Sequence, residues 1–311
     1  MIKIQEGIPL APLTTLRVGG TAKYFAEIGS PEELKEAIVF AEERNLKTVI
    51  LGGGSNVLVS DGGFDGLVVF MKGSEIEFEN DLVKVGAGTS LAELVRKSAE
   101  EGLSGMEWAV GIPGTVGGAI RGNAGAYGGD IGNNVISVRA FDMDKADNNG
   151  VVNLSKEECS FNYRNSVFKR NPNMVILSAE LKLEKGDIAE IKEKTKDIAI
   201  VRAGKTVKGS SAGSFFVNPV VTDEHLRRQF ALDVGRESAD DTLPAGWLIE
   251  RTGLKGRKIG GAMVSEQHGN FIINTGNATA EDIVMLVSII KQKVRNKYKI
   301  QLVEEIAYIG F

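Results

Sequence analysis

The chain has 311 residues, enough for two or three small domains, and its 42% hydrophobic and 25% charged residues are those of a water-soluble globular protein. A net charge of −4 offers no basic face to nucleic acid or to an anionic membrane, and no apolar run approaches the ~18 residues of a membrane span. One cysteine and two histidines exclude an internal disulfide, a zinc cluster and an iron–sulfur site. What stands out is glycine: 38 residues, against a usual share of about 7%, without a collagen-like period and with only seven prolines.

In chain order, MIKIQEGIPLAPL lacks the charged start and apolar core of a secretory signal, so none is expected. Ser30-Pro31-Glu32-Glu33 predicts a helix start with Ser30 as N-cap and Glu33 closing a capping box, followed by an inward face of Leu34, Ala37, Ile38 and Ala41. Strands are expected at Thr48–Leu51, Val57–Val59, Leu67–Phe70 and Leu82–Val85. Ser90 and Glu93 open a second helix before Leu91, Leu94 and Val95, with Gly102 at its C-terminal end. Val135–Phe141 and Val175–Leu183 read as strands, with Lys145–Gly150 as a hairpin loop. Asp187–Ala203 reads as a helix striped by Ile188, Ile191 and Ile198, and a boundary is expected near Ala203–Ser210. Phe271–Asn274 is a strand, Thr279 and Asp282 open a long helix with Ile283, Leu286, Ile290 and Val294 inward, and Leu302–Tyr308 closes the chain as a strand. The basic run Lys291, Lys293, Arg295 and Lys297 complements the dipole of that long helix. Strands and helices alternate without a strict βαβ period, which predicts an α+β protein.

The glycines are clustered, six in 52–66 and nine in 111–132, with a looser set over 246–276. In TVILGGGSNVLVSD (48–61) a strand enters three glycines and leaves through Ser55 and Asn56 into another strand. Such a turn lines up backbone N–H groups into an anion-binding hollow, or it is a tight β-hairpin. It is not the dinucleotide fingerprint, because the spacing differs and no helix follows. GIPGTVGGAIRGNAGAYGG (111–129) has too many glycines for one turn and too few side chains for a core. Ordering it costs conformational entropy, which a large flat ligand with a pyrophosphate offsets by packing on the bare backbone. Thr115, Asn123 and Tyr127 can supply hydrogen bonds or stacking.

Two motifs are set aside. Gly204-Lys205-Thr206 lacks the glycine that a P-loop requires at position 199. Gly209-Ser210-Ser211-Ala212-Gly213 fits G-x-S-x-G, but a helix and a Lys-rich turn precede it and strand-like Ser214–Val217 follows, the reverse of a nucleophile elbow.

Taken together, the segments TLRVGG, LGGGSNVLVSD, GIPGTVGGAIRGNAGAYG, NYRNSVFK, AGSFFVNP, GLKGRKIGGAMVSEQHGNFIIN and LVEEIAYIG make the chain resemble the bacterial UDP-N-acetylenolpyruvoylglucosamine reductases from end to end. The resemblance implies an FAD-binding region of the vanillyl-alcohol-oxidase type in two subdomains, 1–73 and 74–203, and a C-terminal α+β substrate domain, 204–311. It implies FAD on Gly52, Gly53, Gly54, Ser55, Asn56, Val57, Gly114, Thr115, Gly117, Gly118, Asn123, Gly125 and Tyr127. The flavin is expected to be non-covalent, since neither glycine cluster contains His or Cys.

By the same resemblance Arg164 helps hold and polarise the enolpyruvyl carboxylate, Ser214 is the proton donor and Glu305 completes the site, with the adjacent Glu304 as the alternative, since a one-residue shift turns a strand's side chain to the other face. Tyr163, Lys205, Lys208 and Asn218 fall near the substrate, with one of the two lysines supplying positive field; His268 lines the substrate domain. The implied reaction is NADPH-dependent reduction of UDP-N-acetylglucosamine enolpyruvate to UDP-N-acetylmuramate, in the cytoplasm, by a monomer with no metal, nucleic-acid or membrane partner. NYRNSVFKRNPN runs straight into the next strand, so the chain resembles the shorter subtype, without an inserted clamp tyrosine. The competing readings are another FAD-dependent oxidase of the same fold, a serine hydrolase, and a non-catalytic nucleotide-binding protein. Trp108 and Trp247 are expected in a core or at an interface, and Cys159 as a small buried hydrophobe.

Overall fold

A computed structural model describes residues 2–148, 150–205, 207–238 and 241–311, without the side chains of 146–148 and 205. The capping residues act much as their sequence predicts. Ser30 Oγ accepts the Glu33 N–H (3.2 Å) at the start of helix Pro31–Glu42, whose buried face is Leu34, Ala37, Ile38 and Ala41. The box is displaced by one residue, however: the Glu33 carboxylate accepts from Gly29 N–H (2.7 Å) rather than from the cap itself. Ser90 likewise caps helix Leu91–Glu100, while Glu93 turns to Lys97 four residues on.

The chain divides into two compact units, each assembled from three stretches of sequence: 1–8, 22–54 and 65–204 form the first, and 9–21, 55–64 and 205–311 the second. Neither unit is one consecutive segment, so this division differs from the expected 1–73, 74–203 and 204–311.

In the first unit, a sheet ordered Ile4–Pro9, Thr21–Ile28, Phe64–Met71, Lys47–Leu51 is covered by helix Pro31–Glu42, burying Ala26, Ile28, Leu67 and Val69 against the helix face. A second, antiparallel sheet runs Val151–Ser155, Val135–Asp142, Met174–Lys182, Leu82–Gly86, Ile76–Glu79. Its core gathers Val83, Val85, Leu94, Ile120, Val138, Phe168 and Leu181, and takes in both Trp108 and Cys159. Burial, then the neighbouring Glu158 and Glu157, push the Cys159 thiol up to about 11, so it behaves as a small apolar side chain. Helix Ile188–Lys205 departs from its predicted stripe: Ile191 is buried, Ile188 is 43% exposed and Ile198 only half-buried.

The second unit places a sheet ordered Ser210–Ser214, Phe271–Asn274, Ala262–Val264, Lys258–Ile259 against helix Ala280–Tyr298, which buries Ile283, Leu286, Ile290 and Val294. Thr279 and Asp282 form a complete capping box there, and the Asp61 carboxylate accepts from both Ala280 and Glu281 N–H groups. Leu16, Val18 and Leu58 enter this core from the two N-terminal stretches, beside Phe215, Phe216 and partly buried Trp247. Val57–Val59 pairs in parallel with Ala307–Ile309, whereas Lys47–Leu51 pairs with Phe64–Met71, so the first glycine cluster is not a hairpin turn. The expected closing strand is shorter than predicted. Only Ala307–Ile309 is regular, and Glu304 makes an isolated bridge to Phe216, because the hydrophobic alternation of 302–308 does not itself supply a partner edge. The segment predicted as a strand at Ser214–Val217 is likewise earlier, at Ser210–Ser214.

Candidate active site

Within the first unit the two glycine clusters meet. A Cβ on Gly53 would lie 2.7 Å from Gly114 Cα, and one on Gly52 2.6 Å from Thr115 Oγ1, so the segments run backbone against backbone at a distance that only glycine permits. The 111–132 cluster is more ordered than predicted. Thr115 N-caps a short helix, Val116–Gly122, accepting from Gly118 N–H at 3.4 Å. Gly117 is small because Ala87 presses on it (Cβ to Cβ 2.9 Å) and Gly125 because Asp130 does (2.8 Å). Gly53 and Gly118 keep exposed backbone. Asn123 belongs to the fold: it is 8% exposed, its Oδ1 accepts from Gly132 N–H (3.1 Å) and its Nδ2 donates to Asn162 O (3.1 Å). Tyr127 and Gly128, with φ of 52° and 83°, form the two-residue turn between Gly125–Ala126 and Gly129–Asp130. The Arg202 guanidinium, whose pKa burial lowers, lies 5.2 Å from the Tyr127 ring centroid, a contact the sequence did not reveal.

Arg164 also lies in the first unit, in a tight turn where Asn162 and Asn165 exchange backbone hydrogen bonds at 3.0 Å. Its φ of 54° is left-handed, uncommon for an arginine. Its Nη2 donates to Gly125 O (3.0 Å), Lys169 Nζ donates to Arg164 O (3.0 Å), and its guanidinium stands 5.5 Å from the ring of the exposed Tyr163. The short helix Val167–Arg170 follows, then strand Met174–Lys182, with no inserted segment between.

The segments that follow Ser214 and that contain Glu305 lie side by side in the second unit: Phe215 O accepts the Glu305 N–H at 2.9 Å and Val217 N–H donates to Val303 O at 3.0 Å. Glu304 is engaged by Lys291 Nζ through both carboxylate oxygens (2.8 and 3.0 Å). Asn56 O accepts the Ala307 N–H (3.0 Å) and Asn56 Nδ2 donates to Glu305 O (3.3 Å), so Ser55, Asn56 and Val57 sit in the unit that carries Glu305. Asn218 Oδ1 accepts from Ala245 N–H (3.0 Å) at the start of helix Ala245–Glu250. Lys208 is exposed, its N–H donating to Gln267 Oε1 (2.9 Å). Lys205 ends helix Ile188–Lys205, its side chain outside the described residues, as is Thr206 of the P-loop look-alike. His268 Nδ1 accepts from Asn270 N–H (3.1 Å), and its ring meets Phe271 edge-on at 5.1 Å. Among the described residues no cluster of His, Cys, Asp and Glu could hold a metal, and no helix is long and apolar enough to cross a membrane.

Residues 22–145 match the family described as an FAD binding domain, and residues 205–309 the C-terminal domain of UDP-N-acetylenolpyruvoylglucosamine reductase. The close-set, partly exposed glycine backbones fit such a cofactor, whose phosphates need bare N–H groups and no intervening Cβ. The class is therefore an FAD-dependent oxidoreductase. The UDP-N-acetylenolpyruvoylglucosamine reductase of a Synechococcus strain (WH7803) is 41% identical over 99% of this chain and 94% of its own, and that of Chlamydia trachomatis serovar A is 39% identical over 99% and 97%. The crystal structure of the Thermus caldophilus reductase superposes with a TM-score of 0.78 at 32% identity, covering all of both chains. The chain belongs to the UDP-N-acetylenolpyruvoylglucosamine reductase family.

Proposed function

We propose that the chain reduces UDP-N-acetylglucosamine enolpyruvate to UDP-N-acetylmuramate, a peptidoglycan precursor, with NADPH as reductant and FAD held without a covalent bond. The reading carries with it two FAD-binding subdomains, 1–73 and 74–203, a substrate domain, 204–311, and a monomer working in the cytoplasm. FAD rests on residues 52–57 and on Gly114, Thr115, Gly117, Gly118, Gly125 and Tyr127, while the amide of Asn123 braces the loop from beneath. The chemistry that bound FAD would supply is hydride transfer, drawn from NADPH and delivered at the terminal carbon of the enolpyruvyl double bond.

The protein's own groups manage the charge and the proton. As hydride adds, negative charge spreads over C2 and the adjoining carboxylate, and the Arg164 guanidinium pairs with that carboxylate through a planar fork. Ser214 gives its hydroxyl proton to C2, which balances the addition of hydride and proton across the double bond. A serine is a weak acid, so it serves here because the accepting carbon is strongly basic. Glu305 completes the site, and Tyr163, Lys205, Lys208 and Asn218 meet the nucleotide-sugar. The observation that supports this most is the backbone bond from Glu305 N–H to Phe215 O, which ties the two acids' segments to one another.

NADPH oxidation by the flavin-loaded protein should require UDP-N-acetylglucosamine enolpyruvate; turnover indifferent to it would sink the reading. Ser214→Ala should leave flavin reduction by NADPH intact and slow the substrate half-reaction by about 100-fold or more. Acid precipitation should leave the flavin in the supernatant, and colour in the pellet would mean a covalent bond.

A further inference from the structure

Asn270 precedes strand Phe271–Asn274 and is 3% exposed. Its side-chain amide makes two hydrogen bonds with one residue: the Phe216 N–H donates to Oδ1 (2.9 Å) and Nδ2 donates to Phe216 O (2.8 Å). Its main-chain O accepts the Phe215 N–H at 2.8 Å. An amide carries a donor and an acceptor at the spacing of a peptide unit, so Asn270 stands in for a missing strand neighbour. The substitution occurs where it is needed. The ladder between Ser210–Ser214 and Phe271–Asn274 slips between Ser211 and Ser214, and Gly213 takes a φ of 76° as the chain bends away.

Beyond the slip, the same two phenylalanines hold the Glu305 segment: Phe215 O accepts from Glu305 N–H, and Phe216 bridges to Glu304. The buried amide therefore fastens Phe216, and the Asn270 main chain fastens Phe215, the two residues that follow Ser214 and lie against the Glu305 segment. We propose that Asn270 is a positioning residue for proton transfer: it fixes the backbone at Phe215 and Phe216 so that the Ser214 hydroxyl keeps its place relative to C2 of the substrate. This rests on the reading of Ser214 above. Aspartate in its place lacks the donor for Phe216 O, and leucine lacks both partners, which leaves a buried N–H and C=O unpaired.

The test is stopped-flow measurement of the two half-reactions on the flavin-loaded protein, with hydrogen exchange at the Phe215 and Phe216 amides as a readout independent of turnover. Asn270→Leu and Asn270→Asp should slow the substrate half-reaction by about 10-fold or more and leave reduction by NADPH within about twofold; Asn270→Leu, which removes the acceptor, should also speed exchange at the Phe216 amide, while the Phe215 amide, bonded to the main-chain O of residue 270, changes less. In a Ser214→Ala chain the same changes should cost less than about twofold more, because the group they position is gone. Should leucine prevent folding, Asn270→Asp, which keeps the acceptor for the Phe216 N–H, decides. Equal slowing of both half-reactions, or fully additive losses with Ser214→Ala, would overturn the proposal. If Ser214→Ala loses the substrate half-reaction while both Asn270 variants keep it, the Asn270 role alone fails. If Ser214→Ala keeps it, the proton-donor reading fails, and the Asn270 role with it.

Discussion

Glu107 shows what a single buried charge does in the first unit. The residue is 3% exposed; burial works against its ionised form, but the Ser104 hydroxyl (2.6 Å), its own backbone, the Gly105 N–H (2.9 Å) and Lys194 at 3.7 Å outweigh that and hold the carboxyl below its ordinary value. A carboxyl lowered by folding adds stability above its unfolded pKa, and that stability is lost as pH falls through the folded value. Glu107→Gln presents one carbonyl to two donors and turns an NH₂ toward the other. It should cost about 1–3 kcal/mol at pH 7, with the gap from the native chain narrowing as pH falls below the ordinary carboxyl range, in urea melts taken across that fall. At this scale the sequence was only partly legible. Arg164, Ser214 and Glu305 stand out because short motifs surround them. Asn270 lies inside a motif, but neither its role nor that of Arg202 is legible there, because their partners, Phe216 and Tyr127, are distant in sequence and come near only through folding.

Elements were readable where the signal is local. Helix Ala280–Tyr298 is announced by its own cap and stripe, and both operate as expected. Leu286→Ala should therefore cost about 2–5 kcal/mol, since that side chain is fully buried, while Met285→Ala, 47% exposed, should stay within about 0.5 kcal/mol; denaturant midpoints with unchanged slope would check both. Strand edges were harder. Alternation in 302–308 predicts a strand, but whether a neighbouring edge accepts it depends on residues some 250 positions away, such as Asn56, which lies 249 positions from Glu305. The same holds for 48–59, where the hairpin alternative fails because the two strands joined by glycines belong to different sheets. Helix Ile188–Lys205 failed in the opposite sense, with a regular stripe of which only Ile191 is well buried.

At the scale of the molecule, α+β character and the FAD region were legible from composition and motif, whereas the interleaving of the two units was not. The chain passes from one unit to the other five times, and the core of the second needs Leu16, Val18 and Leu58. Residues 205–311 made alone should thus stay unfolded, lacking these side chains and the partner of strand Ala307–Ile309; a cooperative melt or dispersed amide resonances from that fragment would contradict this.

The parallel pairing of Val57–Val59 with Ala307–Ile309 also sets an order of events during synthesis. The early strand leaves the ribosome and waits, its edge open, while some 250 further residues are made. The second unit can close only after 307–309 have emerged, and the nascent protein carries an unpaired edge throughout that interval.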